Sequence, residues 1–150
     1  TSPKQIKITK DLLIEANFKA SDLPLDPQNI LAASSNNSCE TKANTWLSVE
    51  QSKSWSQVIS WDLASVNQIS DQAIIKSIQV NTNNLEGRYL HLNIYVFNEA
   101  GEGHRVNSLN QLNNEFVGEK VKQNWSVSFN VDKLYSSKVI FSPSLSFKFE

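Results

Sequence analysis

The stretch Tyr89-Leu-His-Leu-Asn-Ile-Tyr-Val-Phe-Asn-Glu-Ala-Gly-Glu-Gly-His-Arg-Val-Asn-Ser108 decides the fold. Leu90, Leu92, Ile94 and Val96 alternate with Tyr89, His91, Asn93, Tyr95 and Phe97. Successive side chains of an extended chain point to opposite faces, so the run sends an aliphatic row one way and an aromatic and polar row the other. It breaks at Asn98-Glu-Ala-Gly-Glu-Gly103, where two of the four glycines suit the positive φ of a reversal, and His104-Arg-Val resumes extended structure. The pattern predicts a β-hairpin carrying His104 and Arg105 at its tip.

Working outward, the same period of two recurs. Gln5-Ile-Lys-Ile-Thr9 reads as a strand; residues 12–18 fit a strand or a short helix, and their neighbours favour the strand. Gln57-Val-Ile-Ser-Trp-Asp-Leu63 places Ile59, Trp61 and Leu63 on one face, and Trp61 in that register is expected in the core. Residues 74–80 give a further strand. Residues 109–118 are irregular, with room for one helical turn. Trp125-Ser-Val-Ser-Phe-Asn-Val131 alternates without a fault, and strands at 138–141 and 145–149 close the chain. Roughly eight strands, each with one apolar face, predict an all-β fold: an antiparallel two-sheet β-sandwich or jelly roll.

Bulk properties narrow the classes. A chain of 150 residues makes one ordinary domain, 1–150, that buries about two thirds of its unfolded surface without a disulfide staple. At 39% hydrophobic and 19% charged it belongs with folded domains, away from disordered ones. A formal net charge of −1 with no run of Lys or Arg disfavours nucleic acid and anionic membranes as partners. No apolar stretch approaches the roughly 20 residues that span a bilayer, so no transmembrane segment is expected. The chain starts at Thr1 and has no Met, which suggests a processed chain or a segment of a larger protein or complex. Cys39 is the single cysteine, excluding an internal disulfide.

Residues 21–44 lose all periodicity. A connection of that length is functional or tied down by an ion, and Asp22, Asp26 and Glu40 are candidate oxygen ligands for a structural Ca²⁺. The plainer alternative makes Asp22 and Asp26 turn residues beside Pro24 and Pro27. Asn36-Asn-Ser38 and Asn124-Trp-Ser126 match the N-glycosylation acceptor pattern, a match that a chain rich in Asn and Ser also yields by chance.

In their order, Pro27-Gln-Asn-Ile-Leu, Thr45-Trp46, Trp55-Ser-Gln57 running to Asp62-Leu63, Ile75-x-x-Ile78-x-Val80, and the hairpin resemble the discoidin, or coagulation-factor type C, group of galactose-binding-like sandwiches. The resemblance spans roughly residues 27–107. It departs from the group where Ala32-Ala-Ser replaces an acidic D-G-N loop that often holds calcium, and where two extra residues separate Gln57 from Asp62. The resemblance implies a non-catalytic recognition module that binds sugars, phospholipid head groups or protein partners through loops at one end of the sandwich, and it leans towards an extracellular or cell-surface setting.

The residues themselves support little catalysis. There are two histidines and one cysteine, and no G-x-S-x-G, H-E-x-x-H or glycine-rich phosphate loop, so the chain is expected not to be an enzyme. A carbohydrate site needs planar donors and an aromatic face. His104 and Arg105 supply the donors, and Trp55 or Trp46 the platform. The alternative is a protein-interaction or assembly domain, for which Tyr95 and Phe97 would be suspects if left uncovered by the second sheet.

Overall fold

The computed structural model describes residues 37–43, 45–82, 84–106 and 108–150, together with the backbone of Ile8–Thr9. Asp22, Asp26 and the ambiguous segment 12–18 lie outside the described residues. The strands are β1 (Ile8–Thr9), β2 (Ser38–Glu40), β3 (Leu47–Val49), β4 (Ile59–Asp62), β5 (Ile75–Asn81), β6 (Tyr89–Phe97), β7 (Glu102–Val106), β8 (Asn124–Leu134), β9 (Val139–Phe141) and β10 (Ser144–Phe149). One 3₁₀ turn, Leu63–Ser65, follows β4, and the Asp62 carboxylate caps it by accepting from the Ala64 N–H.

The first layer is a five-stranded antiparallel sheet in the order β1-β7-β6-β8-β4. The second is made of a three-stranded sheet, β2-β10-β5, and a two-stranded ladder, β3-β9. Backbone bonds from Thr41 N to Leu145 O and from Ala43 N to Pro143 O carry the pairing from β2 towards β3, so the two pieces run on as one layer interrupted near residue 143. Between the layers lies one apolar core. Ile59, Trp61, Ile94, Val96, Trp125, Val127, Phe129 and Val131 face it from the first layer, and Leu47, Val49, Val80, Val139, Phe141, Leu145 and Phe147 from the second. The expected all-β, antiparallel two-layer sandwich is what the chain forms.

The alternation in β6 and β8 explains why. Every odd residue from Trp125 to Val131 is inaccessible to solvent, and burying a large apolar side chain contributes roughly 1.5–3 kcal/mol, so a one-residue slip would forfeit the whole row. Trp61 is fully buried, as its register requires, and its indole N–H reaches the Lys42 carbonyl at 3.3 Å. Residues 109–118, where the sequence left room for one helical turn, contain no helix, only isolated turns such as Val117 N to Asn114 O. The segment after β7 lies as an irregular strap beside β5, held by isolated bridges from Asn113 to Ile78 and from Lys120 to Ile74.

One expectation about the hairpin is corrected. The tip is the three-residue loop 99–101, closed by Gly101 N to Asn98 O at 3.0 Å and Asn98 N to Glu102 O at 3.1 Å. Gly101, at φ 84°, takes the left-handed position that such loops require; Gly103 does not, and pairs within β7 opposite Phe97. His104 and Arg105 therefore sit in the body of β7, opposite Val96 and Tyr95, rather than at the tip.

Candidate functional site

Because neighbours on a strand face opposite ways, the expected His104 and Arg105 pair is split. His104 lies on the core side of the sheet. Its ring meets Phe116 edge-on at 4.8 Å between centroids, and its nitrogens face Glu102 Oε1 at 3.2 Å and Glu115 Oε2 at 3.8 Å. That is a structural setting at the margin of the core. Arg105 is exposed on the outer face, where its cross-strand neighbour is Tyr95.

The outer face collects a distinct group of side chains around Tyr95. On one side Trp55 packs edge-on against it, with ring centroids 5.0 Å apart and planes at 69°. Trp55 is placed there because residues 53–56 extend the β4 edge along β8, through Lys53 N to Val131 O and Ser56 N to Phe129 O, each 2.8 Å. Both rings are half-buried and rest on Val58 and Phe97, a small apolar cluster separate from the main core. Burial pushes the Tyr95 phenol up from its ordinary value, and the Arg105 charge pulls it part of the way back.

Beyond Tyr95 the same face becomes a polar ladder. Asn93 is paired with Asn130 across β6 and β8, and its Nδ2 donates to Asn130 Oδ1 at 2.8 Å and to Asp132 Oδ1 at 2.9 Å. His91 Nδ1 lies 3.0 Å from the second Asp132 oxygen. The Asn93 hydrogen bond holds the Asp132 carboxyl below the usual carboxylate range, against the opposing effect of burial and with help from His91 and the Arg105 charge. The result is a half-buried aromatic pair accompanied by the exposed Arg105 guanidinium and by carboxamide, carboxylate and imidazole groups already oriented by one another. Such a surface offers ring faces and fixed hydrogen-bonding groups together.

Of the remaining expected residues, Trp46 is 45% exposed just before β3 and takes no part in this patch. Glu40 is exposed at the end of β2, where its Oε1 accepts from Ser144 Oγ at 3.3 Å. Among the described residues, no group of three or more His, Cys, Asp and Glu side chains is placed to hold a metal ion. Cys39 is buried and its thiol is pushed up to about 12 by desolvation, the reverse of an activated nucleophile. Asn93, Asn130 and Asp132 were not among the expected site residues, and Tyr95 was expected only as a suspect for a protein-interaction surface. Strict alternation placed Tyr95 and Asn93 on one outer row, but only the β6-β8 register brings Asn130 and Asp132 beside them.

The fold is that of an all-β sandwich with an aromatic and polar patch on one outer sheet face. No family model matches the chain, and neither the curated proteins nor the solved structures contain a match. Among the described residues, no helix is long and apolar enough to cross a membrane.

Proposed function

We propose that this chain is a non-catalytic recognition module that binds carbohydrate on the outer face of the five-stranded sheet. The observation that carries the reading is the Trp55–Tyr95 pair sharing one sheet face with Arg105 and with the Asn93, Asn130, Asp132 and His91 group. A sugar ring laid against the aromatic edge would offer hydroxyls both to the guanidinium, a rigid fork of donors, and to the oriented amides and carboxylate. The binding surface is then a sheet face and not the loops at one end. The motif order resembling discoidin domains supports the non-catalytic recognition role though not the sheet-face location, and kinship with that group is part of the proposal. The protein-assembly alternative looked to Tyr95 and Phe97 as exposed suspects; Phe97 is inaccessible and Tyr95 half-buried against Trp55, which favours the sugar.

The test is a glycan array followed by calorimetry with the parent and with Arg105→Ala. Arg105 is exposed, so its removal should leave the melting temperature unchanged while affinity for the selected glycan falls about tenfold or more, the loss expected for a charge-assisted hydrogen bond. An empty array, or equal affinity of the variant, would sink the proposal.

A further inference from the structure

The outer face of the second layer holds a cleft of about 490 Å³ that shares no residue with the sheet-face patch. It lies where β9 ends at Phe141 and β10 begins at Ser144, beside the point where β5 ends at Asn81. Glu40, Lys42, Asn81, Thr82, Asn84 and Asn110 line it, together with residues 142–144. The volume falls in the range that holds small-molecule ligands.

Its walls are cross-tied. Asn110 grips Thr82 in both directions, accepting from the Thr82 N–H at 3.0 Å and donating to the Thr82 carbonyl at 3.1 Å. Asn84 Oδ1 accepts from the Ser142 N–H at 3.0 Å and from Thr82 Oγ1 at 2.8 Å, which locks the turn after β5 onto the β9–β10 break. Asn81 Nδ2 donates to Ser146 Oγ at 2.9 Å. Asn110 makes its grip at φ 60°, a left-handed conformation that its neighbours must hold in place. A cleft fixed in this way needs little ordering when a ligand enters.

The lining is selective. Among the described residues it includes no aromatic ring to serve as a stacking platform for a sugar or a base. It does set one carboxylate and one ammonium on the same side of one chain segment: Cys39, Thr41 and Ala43 are buried while Glu40 and Lys42 between them are exposed. Two residues of extended chain separate the latter pair's Cα atoms by about 7 Å. Ser144 holds the Glu40 carboxylate at the cleft through its 3.3 Å hydrogen bond. A ligand with an ammonium at one end and a carboxylate at the other satisfies both groups. A free amino acid carries its two charges on one carbon, whereas a peptide holds them apart. Each further residue adds about 3.3–3.6 Å, and an internal peptide group presents a donor and an acceptor that a carboxamide matches.

We infer that this cleft is a second binding site, selective for short zwitterionic peptides of two or three residues, with the amino terminus on Glu40 and the carboxylate on Lys42. The experiment is an amide-resolved NMR titration of the whole chain with L-alanyl-L-alanine, repeated with its N-acetylated and C-amidated forms, with free alanine and with maltose. Alanyl-alanine should shift the Thr82, Asn84 and Asn110 resonances saturably and leave Arg105 unmoved, and blocking either end should weaken binding about tenfold. Lys42→Ala and Glu40→Gln, both at exposed positions, should each cost a similar factor with no change in melting temperature. The proposal is overturned by the absence of a saturable shift at millimolar alanyl-alanine, by equal binding of the blocked forms, or by maltose moving these resonances in place of the peptide.

Discussion

His91 stands at φ 53° within the nine-residue strand β6, a conformation rare for any residue with a side chain. His tolerates it better than most, and here it brings the imidazole to Asp132, within the proposed sugar site. The strain can be read out by pairing two substitutions. His91→Val places a β-branched residue there and should lower unfolding free energy in a denaturant titration by roughly 1–2 kcal/mol. His91→Gly relieves the strain but adds strand entropy, so the two effects should offset to within about 1 kcal/mol. Equal stability of the two variants would show that the backbone at this position is relaxed. At this scale the sequence was half legible. Trp55 and Arg105 were recognisable as an aromatic and a planar donor of the right kinds, whereas Asp132 and Asn130 gained meaning only through the β6-β8 register. His104 was misplaced by a simple cause: one glycine turns the hairpin, not two, which moves the loop back and sends adjacent side chains to opposite faces.

At the level of elements, legibility followed burial. The rows in β4, β8 and β10 were plain because each buries one face completely, and that forces apolar residues into every second position; in β6 the row runs from an exposed Leu90 to a fully buried Val96. Strand β2 was read as part of a loop, since Ser38-Cys-Glu40 is too short to show a period and is held by its ladder with β10. The count of strands rose accordingly. The crossing before β6 shows how tightly one element limits another: a Cβ on Gly87, at φ 120°, would stand 2.5 Å from the Lys138 carbonyl and 2.9 Å from Val139 Cα. Backbone cannot yield as a side chain tip can. Gly87→Ala should therefore cost about 2 kcal/mol or more, whereas Gly118→Ala, with φ 94° but nothing within 4 Å, should cost about 1 kcal/mol from conformation alone. Thermal denaturation of the two variants separates steric from conformational cost. A Gly87→Ala protein as stable as Gly118→Ala would mean that β9 moves freely away from residue 87.

For the whole molecule, the single cysteine sets a pH boundary. Cys39 titrates at about 12 in the folded chain against an ordinary 9.0, because desolvation disfavours its thiolate. Its contribution to stability is complete below 9.0 and is lost as pH climbs towards about 12, since the unfolded chain releases the proton first. Melting temperatures measured across that window should fall less steeply for Cys39→Ala, and parallel slopes would remove the thiol as a cause. The arrangement of the second layer has a further consequence, for the order in which the chain takes shape. Strand β10 lies between β2 and β5, and Thr41 bonds to Leu145 across 104 residues. A ribosome delivers β2 and β5 long before it delivers the strand that joins them. Until then each keeps open the edge that β10 will cover, free to pair with a neighbouring nascent chain. The strand made last of these three thus serves as a keystone, and the chain that has made β2 and β5 but not β10 is the state in which this layer is most exposed to aggregation.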